Sequence, residues 1–294
     1  MAGALVVALV AIRVSTAAQL RAAGVPDGCF AAPTEACRAA ALATPQPGGP
    51  LWGLMHTFLL VVPLLLGLLA GTGLFSRELE ERTLLFTLTQ SESRARWCGV
   101  TLLAGGLPAL VAAGVLGALV SWAFQPLDLV AYPFSSLETP AFESSGVVIV
   151  GYTLLAFAVT VAAGVVARSS LVSIVVTVPV YGIVIYLLAR RLRPHYLPPE
   201  QVQVQGALNF SDAQGELQGT RAWIVDYEPY LGGQDDTPRL IEYQPDDRYW
   251  LFQTIELGIL LVLAVLAFVV ALRRLSNSCD GAGKMSGSAR TRWR

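Results

Sequence analysis

The chain has 294 residues, 54% of them hydrophobic and only 14% charged, with a mean hydropathy of +0.57. Soluble domains carry roughly 25% charged residues, so these figures exclude an ordinary soluble domain and indicate an integral membrane protein. The formal net charge of −1 says little until it is sorted by side of the membrane.

The first apolar run, residues 2–14, contains Arg13, which costs about 3 kcal/mol at mid-membrane. A signal peptide would need a basic leading region, which is absent, and alanine-rich sequence continues to Leu20. The run is therefore read as a first span over residues 2–19, its cytoplasmic start expected upstream, with Arg13 snorkelling outward. Were it not a span, five crossings would remain and the amino end would lie outside. Residues 21–50 form an outer loop that ends in a Pro/Gly run no helix traverses. Cys29 and Cys37 stand eight apart in it. A disulfide and two unpaired small residues are both open readings.

The second span covers residues 51–75, with Trp52 at its rim and Pro63 inside. Gly67 and Gly71 share a face, a spacing that permits close approach of another helix. A polar island follows at residues 76–97, SRELEERTLLFTLTQSESRARW. Its four arginines (Arg77, Arg82, Arg94, Arg96) place it in the cytoplasm by the positive-inside bias. Within it Glu78 with Arg82, and Arg77 with Glu81, are helical i,i+4 pairs. Leu79, Leu85, Phe86 and Leu88 form its apolar side, and Ser91 caps the next helix. The island is either an interfacial helix anchoring two spans or a lever on which a cytoplasmic partner pushes.

The third span, residues 97–124, is interrupted by Gly105, Gly106 and Pro108. Residues 125–145 carry Asp128, Glu138 and Glu143 and no base, so they lie outside. The fourth and fifth spans, 146–167 and 171–189, are joined only by Arg168, Ser169 and Ser170. Residues 190–249 form a hydrophilic outer loop whose alternating pieces, such as 221–227, predict strands of a small subdomain. The sixth span is 250–272, and the basic tail 273–294 is expected to be disordered and cytoplasmic. Sorted this way, the inside holds eleven bases against five acids, and the outside nine bases against fifteen acids. Six spans with both termini inside fit the charge rule, and 1–272 forms the membrane domain. Arg190, Arg191 and Arg193, at the outer end of the fifth span, are the awkward residues.

Chemistry is scarce. His56 and His195 are far apart, and no zinc-protease helix, hydrolase elbow or paired-cysteine motif is present. Residues 281–284 hint at a phosphate loop, but Ser278 and Met285 occupy its required Gly and Ser/Thr positions, and no strand precedes it. No catalytic residue, metal, cofactor or nucleic-acid partner is expected. Glu256 lies within the sixth span, and an acid in hydrocarbon is a functional hypothesis by default. It either faces the bundle interior or touches a transported substrate.

Several stretches resemble actinobacterial type 2 ABC exporter permeases. They are Arg77-Glu78-Leu79-Glu80 with Thr83, Thr89-Gln90-Ser91, Ser93-Arg94 and Arg96-Trp97; then 192–198, LRPHYLP; then 249–256, YWLFQTIE, together with the paired cysteines. Arg82 stands where that family usually has Gly, and the family's basic amphipathic segment before the first span is missing. The resemblance implies an all-α membrane subunit with six transmembrane helices, a cytoplasmic coupling helix and an extracytoplasmic loop subdomain, in a bacterial plasma membrane. It implies a separate ATP-binding subunit docked on Arg77, Glu78, Leu79, Glu80, Glu81, Arg82, Thr83 and Phe86. It also implies a second permease copy, identical or homologous, embedded in lipid. The competing class is a non-transporting scaffold or sensor that binds a ligand through its outer loop.

Overall fold

The computed structural model describes residues 2–31, 34–42, 49–72, 94–129, 135–204, 222–227 and 239–290. In chain order its helices are α1 (Ala2–Ala22), α2 (Gly28–Ala31), α3 (Glu35–Leu42), α4 (Gly49–Thr72), α5 (Arg94–Phe124), α6 (Ala141–Ser144), α7 (Val148–Ala167), α8 (Ser170–Leu187) and α9 (Tyr249–Arg290). Among the described residues six segments are long and apolar enough to cross a membrane: Gly3–Ala22, Met55–Thr72, Gly99–Leu127, Val148–Ala167, Ser170–His195 and Asp246–Arg274. The fold is mostly α-helical and multi-span, as the hydropathy pattern requires. In hydrocarbon every backbone group must be satisfied within its own segment, which the α-helix alone achieves for a single run. Pro63, Pro108 and Pro179 sit inside α4, α5 and α8, a placement membrane helices tolerate. Helix α9 continues to Arg290, past Arg273-Arg274, where the sequence reading begins a disordered tail. No proline lies between Arg273 and Arg290 to stop it.

Helix α7 is the enclosed one, with 78% of its apolar window buried against 22–33% for the other five segments. Its run of Val, Ala, Gly and Thr offers little bulk, so neighbours approach closely. The outward sides of the other helices expose Leu69, Leu103, Leu171, Val175 and Val262, a surface suited to lipid.

Two compact units are present, Met1–Leu60 with Gly114–Ile149 and Tyr186–Glu256, and Val61–Ala113 with Val150–Ile185 and Leu257–Arg294. In the second, α4 packs on α7 through glycine. A Cβ on Gly67 would lie 2.5 Å from Ala156 Cβ and 2.8 Å from the Thr153 carbonyl, and one on Gly71 would lie 2.8 Å from Thr160. That is the close approach read from their four-residue spacing. Phe157, Val161, Ala162, Val165 and Ala271 form its apolar core. Thr160 and Thr177 join α7 to α8 at 3.1 Å.

The first unit carries the sheet and the loops. Strands β1 (Glu200–Val204), β2 (Trp223–Tyr227) and β3 (Arg239–Gln244) pair antiparallel in the order β1-β3-β2. Val202 lies opposite Ile241 and Ile224 opposite Tyr243, with a bulge between Ile224 and Asp226. Ile241 is the buried centre, covered by Val202, Ala222, Ile224 and Tyr243. Buried Gln244 donates to the carbonyls of Pro194 and Leu197 at 3.3 and 2.8 Å, tying the sheet to the chain that follows α8. In the same unit Arg13 does more than snorkel. Its guanidinium donates to the Trp122 carbonyl and to Gln125 Oε1, and stacks over the Trp122 ring at 4.3 Å.

Candidate functional site: a buried ion cluster

The buried stripe of α8 advances four residues at a time through Ser173, Thr177, Tyr181 and Ile185. Four residues turn an α-helix by about 400°, so such a stripe drifts by about 40° per step. A π-helical turn at Leu188–Leu192 holds one more residue per turn and absorbs the drift. The stripe then continues through Ala189 to Arg193, while Arg190 and Arg191 remain exposed. One of the three awkward arginines is thereby selected for burial.

Arg193 is 0% exposed and meets Glu143 and Glu256, at 1% and 0%. Its Nε and Nη2 donate to Glu256 Oε2 and Oε1 at 3.1 and 3.0 Å, a two-pronged contact, and Nη2 also donates to Glu143 Oε1 at 2.6 Å. The remaining nitrogen, Nη1, donates to the Leu137 carbonyl at 3.2 Å and to Thr139 Oγ1 at 3.4 Å. Thr139 donates in turn to Glu143 Oε1 at 2.8 Å, and the Phe142 ring lies 3.9 Å from the guanidinium carbon. Tyr196 donates to Glu256 Oε2 at 3.3 Å. Burial first, then the charge of Glu256, pushes the Tyr196 phenol well above its ordinary range, so it remains a donor at neutral pH. The planar fork of Arg suits this geometry better than any other cation. Three segments far apart in sequence are thus held by one side chain.

A second polar knot lies at the start of α7. Gln253 Oε1 accepts from the backbone N–H of Val147 and Val148 at 3.0 and 2.8 Å, and its Nε2 donates to the Phe142 carbonyl at 3.1 Å. A side chain from α9 thereby caps the amino end of α7, where backbone donors have no helical partner. Gly146, at φ 66°, makes room for it, since a Cβ there would lie 2.7 Å from Gln253 Oε1.

Buried His56 places Nδ1 2.7 Å from Ser144 Oγ, and its ring stacks on Phe124. The Ser144 hydroxyl is directed at the carbonyls of Pro140 and Ala141 at 2.9 and 3.1 Å. With its proton on either carbonyl the oxygen is left to accept from an imidazole N–H, an arrangement that does not activate a nucleophile. Among the described residues no cluster of three or more His, Cys, Asp or Glu side chains is placed to hold a metal ion.

Of the residues singled out from sequence, Glu256 is buried with both oxygens engaged by Arg193. Cys29 and Cys37 are joined as a disulfide, packed with Leu20, Val25, Ala41 and Leu129. The coupling residues Arg77, Glu78, Leu79, Glu80, Glu81, Arg82, Thr83 and Phe86 lie outside the described residues. Sequence reasoning missed Glu143 and Arg193 as partners. Its signal was three arginines ending an apolar span with no acid beside them.

A family model, ABC-2 membrane transporter related, matches residues 1–193, about two thirds of the chain and as far as Arg193 itself. The chain belongs to the ABC-2 membrane transporter related family. No curated protein and no solved structure matches it. As an ABC-2 family chain with six membrane-length helices, it is the membrane subunit of a transporter. The matched region contains Glu143 and Arg193, whereas Glu256 and the sheet lie beyond it.

Proposed function

We propose that this chain is the membrane-spanning half of an ATP-binding cassette exporter, driven by a separate ATPase subunit and paired with a second permease copy. The family match carries this reading, and the charged island between two spans supports it. In this reading, which the arginine bias supports, residues 76–97 and both termini lie in the cytoplasm and residues 190–249 outside, the membrane being a bacterial plasma membrane. ATP-driven closure of the partner pushes the island helix over Arg77–Phe86. Because residues 76–97 stand between two spans in the sequence, a push there becomes a helix shift and releases substrate outward. A pathway of Val, Leu, Ala and Gly suits amphiphilic cargo.

The test is co-purification of an ABC-type ATPase with the tagged chain, repeated with Glu78→Lys, Glu80→Lys and Arg82→Glu together. The expected result is loss of the ATPase and of export, with an unchanged melting temperature. Retained binding with retained export removes the lever assignment. Cysteines placed at residues 78–92 should be labelled only after permeabilisation; labelling in intact cells inverts the orientation and ends the mechanism.

A further inference from the structure

Two carboxylates face one guanidinium in the buried cluster, and they are not equally served. Arg193 takes both oxygens of Glu256. Glu143 receives Arg193 and Thr139 on Oε1 alone, and its Oε2 is buried with no hydrogen-bond partner. A buried acceptor left without a donor needs an explanation, and an ion or ordered water is among the standard ones. Here charge discriminates between them, because water would leave these three buried side chains with one more carboxylate than guanidinium. We propose that Glu143 Oε2 anchors a site for one alkali-metal cation. A monovalent ion neutralises the cluster. A divalent ion would leave an excess positive charge beside Arg193 and would require six or more oxygen ligands. The Thr139 hydroxyl and the Leu137 carbonyl, both already drawn to Arg193, supply hard oxygens of the type such ions prefer. An ion there also reinforces the clasp, since it binds the carboxylate that holds the 135–145 segment to Arg193.

The experiment uses the purified full chain in detergent, in sodium, potassium or N-methylglucamine chloride at equal ionic strength. The melting temperature should rise by about 3 °C or more in an alkali salt and saturate with concentration, as for any ligand of the native state. Labelled sodium or rubidium should bind at about one ion per chain. Glu143→Gln keeps an oxygen for Arg193 and should abolish both effects. Thr139→Val should weaken them about tenfold, and it carries the test alone if Glu143→Gln does not fold. Equal melting in all three salts with no bound isotope overturns the site. So does an ion dependence that persists unchanged in every variant that folds.

Discussion

The carboxamide oxygen of Gln253, on α9, accepts the backbone N–H of Val148, the first residue of α7, at 2.8 Å. A side chain more than a hundred residues away thus performs the capping that a local Ser or Asp usually performs. Gln253→Ala removes the acceptor of both amides, of which that of Val148 is buried, and should cost about 1–3 kcal/mol. Thermal unfolding in detergent should show the loss, and Gln253→Glu, which keeps an acceptor but no donor for the Phe142 carbonyl, should not recover the wild-type value.

Removing Arg193 leaves two buried carboxylates without their shared partner, whereas removing Glu256 leaves Arg193 paired with Glu143. Arg193→Met alone should cost about 3–5 kcal/mol and Glu256→Gln clearly less, and Arg193→Met with Glu143→Gln and Glu256→Gln should be far milder than the sum of the three. Chemical unfolding of the single and combined variants gives the coupling directly. Additive losses would show that the three side chains do not act as one.

Helix α4 reaches α7 only because Gly67 has no side chain. Gly67→Ala sets a methyl 2.5 Å from Ala156 Cβ and 2.7 Å from the Phe157 amide nitrogen, and should destabilise by about 1–3 kcal/mol through overpacking. Gly182 meets nothing within 4 Å. Gly182→Ala should be neutral or stabilising by up to about 1 kcal/mol, from reduced freedom of the unfolded chain. A melting comparison of the two variants checks the packing without reference to activity.

The Cys29–Cys37 bond closes a loop of eight residues. Replacing both cysteines with Ala should cost about 2–3 kcal/mol by the chain-entropy relation, read as a lower melting temperature that reductant no longer affects. Mass mapping of the wild-type loop peptide with and without reductant establishes the bond independently.

The six membrane-length helices among the described residues were legible in the amino-acid order alone, because length and apolarity are local quantities that a bilayer reads one segment at a time. The glycine spacing in α4 was equally legible, since a four-residue step is a property of one helix. The identity of the ion cluster was not. Glu143 read as one acid of a short polar loop, Arg193 as an exception to the charge rule, and Glu256 as a lone acid in hydrocarbon. They became one site only when a π-helical turn rotated Arg193 inward and the chain after α8 met α6 and α9. Pairing of charges fifty and sixty-three residues apart depends on how helices pack, and no local periodicity encodes that.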